Sequence, residues 1–145
     1  MRISDVLRGK GSKVVTVEPG TDVRTLLGVL AEHGIGAVVV SSDGRSIDGI
    51  VSERDIVRAL AARGATVLSE QVSEIMTGEV QTCGPGAHID ELMRTMTQGR
   101  FRHVPVVVDG ALAGIVSIGD VVKRRVDELE SERDSLSRYI TSGST

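Results

Sequence analysis

The sequence predicts an α/β (α+β) fold built from two similar halves packed sheet against sheet, followed by a long C-terminal helix. Three observations predict it. The seven residues Gly49-Ile50-Val51-Ser52-Glu53-Arg54-Asp55 return as Gly114-Ile115-Val116-Ser117-Ile118-Gly119-Asp120, sixty-five positions later. Apolar residues in each half recur at the i, i+3, i+4, i+7 spacing of one helix face. The last stretch, Val121 to Ile140, contains neither Gly nor Pro.

Each half reads as short helix, strand, helix, strand, turn, strand, helix. Ile3, Val6 and Leu7 match Val72, Ile75 and Met76 as short amphipathic turns that open the two copies. Arg8-Gly9-Lys10-Gly11-Ser12-Lys13 reads as a flexible connector. It lacks the spacing of a phosphate loop and precedes a strand where such a loop should follow one. At a shift of sixty-six, Val14-Val15-Thr16-Val17 falls on Val80-Gln81-Thr82-Cys83, a strand in each copy, and Pro19-Gly20 falls on Pro85-Gly86. Val23, Leu26, Leu27 and Leu30 fall on Ile89, Leu92, Met93 and Met96, the apolar face of a helix in each copy. Val38 and Val40 fall on Val104 and Val106, and Asp43-Gly44 on Asp109-Gly110, a hairpin-turn signal in both. The last helix of each copy starts at Ser52 or Ser117. The expected units are therefore 1–65, 66–126 and a C-terminal extension 127–145. One half alone is too small to bury its helix and sheet faces; two half-cores make one core.

Composition narrows the function. Hydrophobic residues make up 40% and charged residues 26%, an ordinary balance for a folded soluble chain. One Phe, one Tyr and no Trp leave the core to aliphatic side chains, so a planar ligand would lie between aliphatics. The net charge of −3 argues against a nucleic-acid binder. Cys83 is the single cysteine, which excludes an intrachain disulfide and a cysteine-rich zinc site and suits a reducing cytoplasm. No signal-peptide core or membrane-length apolar run is present, so a cytoplasmic protein is expected.

Ser52-x-x-Asp55 and Ser117-x-x-Asp120 each lie between an apolar strand and a helix. One reading is a capping box, Ser at the N-cap and an acid three residues on. The other is a binding site. A helix start offers free N–H groups and a favourable dipole to an anion. A hydroxyl there can help hold a phosphate, and a nearby carboxylate can accept from both hydroxyls of a ribose. The motif alone favours the cap.

The context adds a resemblance. The two heptads, each ending the same helix-strand pattern, together with Arg102-His103-Val104-Pro105-Val106, resemble the tandem cystathionine-β-synthase-type (CBS) domain family, the Bateman module. The resemblance runs from Ile3 to about Val126. It implies a pseudo-twofold pair of βαββα units with two clefts that commonly bind AMP, ADP, ATP, S-adenosylmethionine or NAD(H). By the same resemblance Asp55 and Asp120 would contact ribose, with Ser52 and Ser117 near phosphate. Backbone at Thr16-Val17 and Thr82-Cys83 would face adenine, and Ala37-Val38 and His103-Val104 would help line the clefts. Family members also commonly pair into disc-like homodimers.

The copies differ in charge. Gly99-Arg100-Phe101-Arg102-His103-Val104-Pro105 aligns with His33-Gly34-Ile35-Gly36-Ala37-Val38-Val39. Arg100, Arg102 and His103 either clamp phosphates near a helix N-terminus or form a solvated loop edge. Arg54 faces phosphate or solvent. Copy two is expected to be the better anion site. Pro105 is read as a strand boundary, or as a bend that shapes the cleft. Cys83 is read as a buried structural thiol, and His33 and His88 as ordinary surface or loop residues.

In the tail, Val122, Val126, Leu129, Leu136 and Ile140 follow a four-three rhythm, with Arg133 in the missing seam position. This helix either folds back on its own module or packs against a second subunit. Ser142 to Thr145 reads as a frayed end. No nucleophile–base pair, metal cluster or complete cofactor fingerprint is legible, so no enzyme and no required cofactor are expected. The expected function is a stand-alone sensor of an adenine nucleotide that signals to a protein target. The alternative is a structural dimerisation module with empty clefts.

Overall fold

The computed structural model describes residues 1–10 and 14–143. Gly11, Ser12 and Lys13 of the expected connector, and Ser144 and Thr145 of the expected tail, lie outside the described residues. The elements run α1 (Ile3–Lys10), β1 (Thr16–Val17), α2 (Val23–His33), β2 (Ala37–Val40), β3 (Gly49–Ser52) and α3 (Glu53–Arg63). Two short 3-10 stretches follow, Gly64–Ser69 and Val72–Glu74. The second half is α4 (Ile89–Gly99), β4 (His103–Val108), β5 (Ala111–Ser117) and α5 (Ile118–Gly143). Arg8, Gly9 and Lys10, expected as connector, are the last turn of α1. Ser142 and Gly143, expected to fray, are still helical.

The first sheet has the order β1-β2-β3. β1 runs parallel to β2, and β2 pairs antiparallel with β3 from Ala37 opposite Ser52 to Val40 opposite Gly49. In the second sheet β4 pairs antiparallel with β5, starting at His103 opposite Ser117. The strand expected over Val80–Cys83 shrinks to one parallel bridge, Cys83 to Val106. Cys83 N–H donates to Pro105 O at 3.0 Å, and Val107 N–H donates to Cys83 O at 2.9 Å. Copy one carries the pairing one residue further, to Thr16 opposite Val39. The counterpart of Val39 is Pro105, which has no N–H to give on that edge. Pro105 is thus not the expected strand boundary. It lies buried inside β4, and it shortens the neighbouring strand.

The two Asp-Gly turns also differ. Asp109 (φ 51°) and Gly110 (φ 77°) form the tight hairpin between β4 and β5. Asp43 instead sits in the longer loop Ser41–Asp48. Its carboxylate accepts from Arg45 N–H (2.8 Å), Ser46 N–H (2.7 Å) and Ser46 Oγ (2.9 Å). Those donors hold the carboxyl below the usual range.

Burial resolves into two clusters, one per repeat. The first gathers Val17, Val23, Leu26, Leu30, Val38, Val40, Val51 and Ile56, and the second gathers Ile89, Leu92, Met96, Val104, Val106, Val116 and Val121. Leu27, placed on the apolar face by its spacing, is exposed. Val39 is also fully buried, although it alternates to the opposite face from Val38 and Val40. Pro105 is buried in the same way beside Val104 and Val106. At these positions the opposite face of each sheet is therefore covered as well.

The opening helical segments cross over. Ile3 and Val6 of α1 complete the second cluster, while Val67 and Val72 complete the first. Matching hydrogen bonds fasten both crossings. Ile3 N–H donates to Ala87 O, Ser4 N–H to Pro85 O and Ile89 N–H to Met1 O, at 2.9, 2.9 and 3.1 Å. Val72 N–H donates to Thr21 O, Ser73 N–H to Pro19 O and Val23 N–H to Glu70 O, at 2.7, 3.1 and 2.9 Å. This is the pseudo-twofold relation, written in backbone contacts.

The crossing explains the glycine that opens each heptad. A Cβ on Gly49 would come within 2.6 Å of Met76 Sδ and 2.8 Å of Thr77 O. On Gly114 it would meet Leu7 Cδ2 at 2.8 Å. Met76 and Leu7 occupy matching positions in the crossed segments. Gly49→Ala should therefore lower stability by roughly 1–3 kcal/mol in urea denaturation, because backbone must move. Gly114→Ala should lower it less, because only a flexible Leu end must turn.

Candidate ligand cleft

Both Ser-x-x-Asp motifs are complete caps. Asp55 N–H donates to Ser52 Oγ at 3.4 Å, and Ser52 N–H donates back to Asp55 Oδ2 at 2.8 Å. Ser52 Oγ–H also reaches Oδ2 at 3.1 Å. In copy two, Asp120 N–H donates to Ser117 Oγ at 3.1 Å, and Ser117 N–H to Asp120 Oδ2 at 2.9 Å. All three Asp55 contacts engage Oδ2 or the backbone. Among the described residues Asp55 Oδ1 takes no hydrogen bond, so a ligand hydroxyl can use it without undoing the cap.

A cavity of about 1060 Å³ opens beside the first cap. The start of α3 supplies Ser52, Arg54, Asp55 and Arg58. The link between repeats supplies Thr77, Glu79, Val80 and Gln81. The loop between α4 and β4 supplies Arg100, Phe101, Arg102 and His103. The site is therefore composite, with the motif of one repeat facing the basic loop of the other. The repeats touch at the strand starts, where a Cβ on Gly36 would lie 3.7 Å from His103 Cε1. Arg54 Nη1 crosses the cleft to Arg100 O at 3.2 Å. Four arginines and His103 outweigh Glu53, Asp55 and Glu79, so the lining favours an anion.

This arrangement corrects the expected pairing of charge with motif. The sequence places Arg100, Arg102 and His103 in copy two, whose anion site is expected to be the better one. Across the pseudo-twofold axis they instead share a cavity with Ser52 and Asp55. Arg54, assigned to copy one, joins them. Ser117 stays close to the basic loop only through backbone, with Ile118 N–H donating to Arg102 O at 2.8 Å. Asp120 borders a separate hollow of about 320 Å³ against α1, with Asp5, Gly9, Lys123 and Arg124.

The other residues named from sequence lie off the large cavity. Val17, Ala37, Val38, Val104 and Pro105 are buried, Thr16 and Cys83 are half-buried and Thr82 is exposed. Val80 and Gln81, rather than Thr82 and Cys83, form the wall on the linker side. Cys83 packs against the second core, and burial pushes its thiol pKa up to about 11. Sequence reasoning missed Arg58 and Phe101. Arg58 was within reach, one helical turn after Arg54 on the same face. Phe101 carried a signal as the single Phe. It packs on the second core and fills the space a Cβ on Gly99 would need, while lining the cleft.

Comparison with known proteins decides the family. The family model for the CBS domain matches twice, over residues 3–62 and 72–127. The chain belongs to the CBS domain family. A mitochondrial CBS domain-containing protein of Arabidopsis thaliana is 35% identical over 97% of this chain and 72% of its own length. A crystal structure of a CBS-domain containing protein from Agrobacterium tumefaciens superposes with a TM-score of 0.84 at 49% identity, covering 86% of this chain and 99% of the other. A CBS domain protein from Pyrobaculum aerophilum, complexed with AMP, superposes with a TM-score of 0.72 at 27% identity, covering 83% and 89%. Among the described residues of this CBS pair, no helix is long and apolar enough to cross a membrane.

Two outcomes test this local chemistry. Arg100 caps α4 in the left-handed conformation (φ 57°) that Gly34 adopts at the end of α2 (φ 61°). Arg100→Gly should therefore raise stability by about 1 kcal/mol in urea denaturation while removing a cleft cation. Native Cys83 should alkylate slowly near pH 8 and react faster only as pH approaches about 11. The sign for stability follows. Above the ordinary thiol range the unfolded thiol ionises while the folded one keeps its proton, so stability falls as pH rises.

Proposed function

We propose that this CBS pair is a regulatory module that binds an adenosine-containing ligand, AMP, ADP, ATP or NAD(H), in the large cleft. The observation that carries the reading is the composite lining, a Ser-x-x-Asp helix start from one repeat opposite Arg100, Arg102 and His103 from the other. The helix start and the arginines suit phosphate oxygens, and Asp55 suits a ribose. The Pyrobaculum relative complexed with AMP supports the ligand class. Asp120 and Ser117 would serve a second site of the same kind.

The role is regulatory rather than catalytic, and the adenine nucleotide acts as a signal, not a required cofactor. A ligand that touches both repeats biases their relative packing by its differential affinity for the two arrangements. Ile118 lines the cleft and is the first residue of α5, so a change there has a short path to that helix. The reading extends to a cytoplasmic homodimer that reports to a protein target. One observation favours the alternative, a structural module with empty clefts: both Ser-x-x-Asp motifs are already complete caps.

Calorimetric titration of nucleotide-free protein with AMP, ATP, NADH and S-adenosylmethionine separates the two. Arg102 is exposed, so Arg102→Ala should leave stability unchanged and weaken a phosphate-bearing ligand about tenfold or more. Adenosine itself should bind the variant as it binds the parent. Folded protein that binds none of these ligands would leave the motifs as caps.

A further inference from the structure

The large cleft carries more arginine than one phosphate group can use. Arg54, Arg58, Arg100 and Arg102 all line it. The internal repeat shows that the fold does not require them. Arg54 matches Gly119 of the other repeat, Arg100 matches Gly34 and Arg102 matches Gly36, while Arg58 matches Lys123. Three of these four cations thus stand where the same pattern elsewhere has glycine. Nor does the cleft pair them internally. Glu53, Asp55 and Glu79 line the same cavity. Yet among the described residues the side chains of Arg58, Arg100 and Arg102 make no hydrogen bond or ion pair. Arg54 gives one N–H to Arg100 O at 3.2 Å and keeps the rest of its fork.

We infer that the cleft selects its ligand by phosphate count, with Arg58 as the specificity-determining residue for phosphates beyond the first. The inference rests on the adenosine-ligand reading and narrows it, favouring ADP and ATP over AMP. It also disfavours S-adenosylmethionine, which has no phosphate and carries a sulfonium cation. A terminal phosphate presents three acceptor oxygens, and two bidentate forks already bring four N–H donors to it. Two guanidiniums are then left without an acceptor. Arg54, Arg100 and Arg102 form one group, because Arg54 touches the loop that carries the other two. Arg58 is the outlier, one helical turn beyond Arg54, with their Cβ atoms about 6 Å apart. Additional phosphates give it the acceptors that a monophosphate lacks. All four side chains are exposed, so solvent and salt screen their mutual repulsion. The selectivity is therefore electrostatic, and it should weaken as salt is raised.

Magnesium-free calorimetric titration of the full chain with adenosine, AMP, ADP, ATP and inorganic tripolyphosphate reads the phosphate count. Affinity should rise about tenfold or more from AMP to ATP, and the gap should shrink in high salt. Arg58→Gln removes an exposed, unpaired charge, so its melting profile should match the parent. It should weaken ATP about tenfold and AMP by less than about twofold. Arg58→Lys keeps the charge and loses the fork, so it should recover part of the ATP affinity. Equal affinity for AMP and ATP, or equal losses of both in Arg58→Gln, would overturn the inference and leave the adenosine reading standing. Arg58-dependent binding of tripolyphosphate with no binding of any adenosine ligand would do the reverse. A folded protein that binds none of the five would overturn both.

Discussion

The exchange of opening segments between repeats is the constraint on which the rest of the molecule depends. α1 leaves its own repeat and packs Ile3 and Val6 into the second core, and Val67 and Val72 pack into the first. Each half-core is therefore finished by residues that precede the other repeat. A small apolar core gains stability in proportion to the area it buries. Neither half reaches its full burial alone, so the two repeats are coupled even though their cores are distinct. The three matched backbone bonds on each side give the crossing direction as well as affinity.

The cleft follows from that crossing. After Val72–Glu74 has docked on the first repeat, the chain must travel back to the second. Thr77 pairs with Ile50 on the edge of the first sheet, with N–H to O distances of 2.8 and 3.0 Å. Glu79, Val80 and Gln81 then run along the cavity wall. The same journey brings the α4–β4 loop opposite the α3 helix start, which is why one lining contains parts of both copies. Capping and binding are compatible at Ser52 and Asp55. The cap occupies Oδ2 and the Ser oxygen and fixes both groups in place. That fixed geometry is what a recognition site requires.

Most elements were legible because the duplication exposes them. Two sequences that keep helical spacing at the same offset, such as Val23, Leu26, Leu30 and Ile89, Leu92, Met96, report a buried face twice. The crossing was not legible. Ile3, Val6 and Leu7 have the same apolar pattern as Val72, Ile75 and Met76, so either set suits either core, and periodicity carries no information on partner choice. For the same reason the basic loop was matched with the nearest motif in sequence, Ser117 and Asp120, rather than with Ser52 and Asp55 across the axis. Pro105 was visible as a residue without a donor. What stayed hidden was the edge that lacked it, and so the loss of the strand beside Cys83. Leu27 shows the limit of spacing: an i+4 position at the margin of a helix face can point to solvent.

The two repeats share a backbone but not a chemistry, and the left-handed caps show where they part. Gly34 ends α2 with a conformation that suits glycine. Arg100 ends α4 with almost the same angles, and an L-residue with a long side chain is strained there. Phe101 follows it, and its ring occupies the space beside Gly99. Copy one has Gly34-Ile35-Gly36 over the matching stretch, with glycine where copy two has its two arginines. A sequence selected for packing alone would keep glycine in both caps. The strain accepted at Arg100 lies on the cleft wall, where its carbonyl also receives Arg54. Duplication accounts for the fold, and the unequal loading of the duplicated positions gathers four arginines on the wall of one cleft.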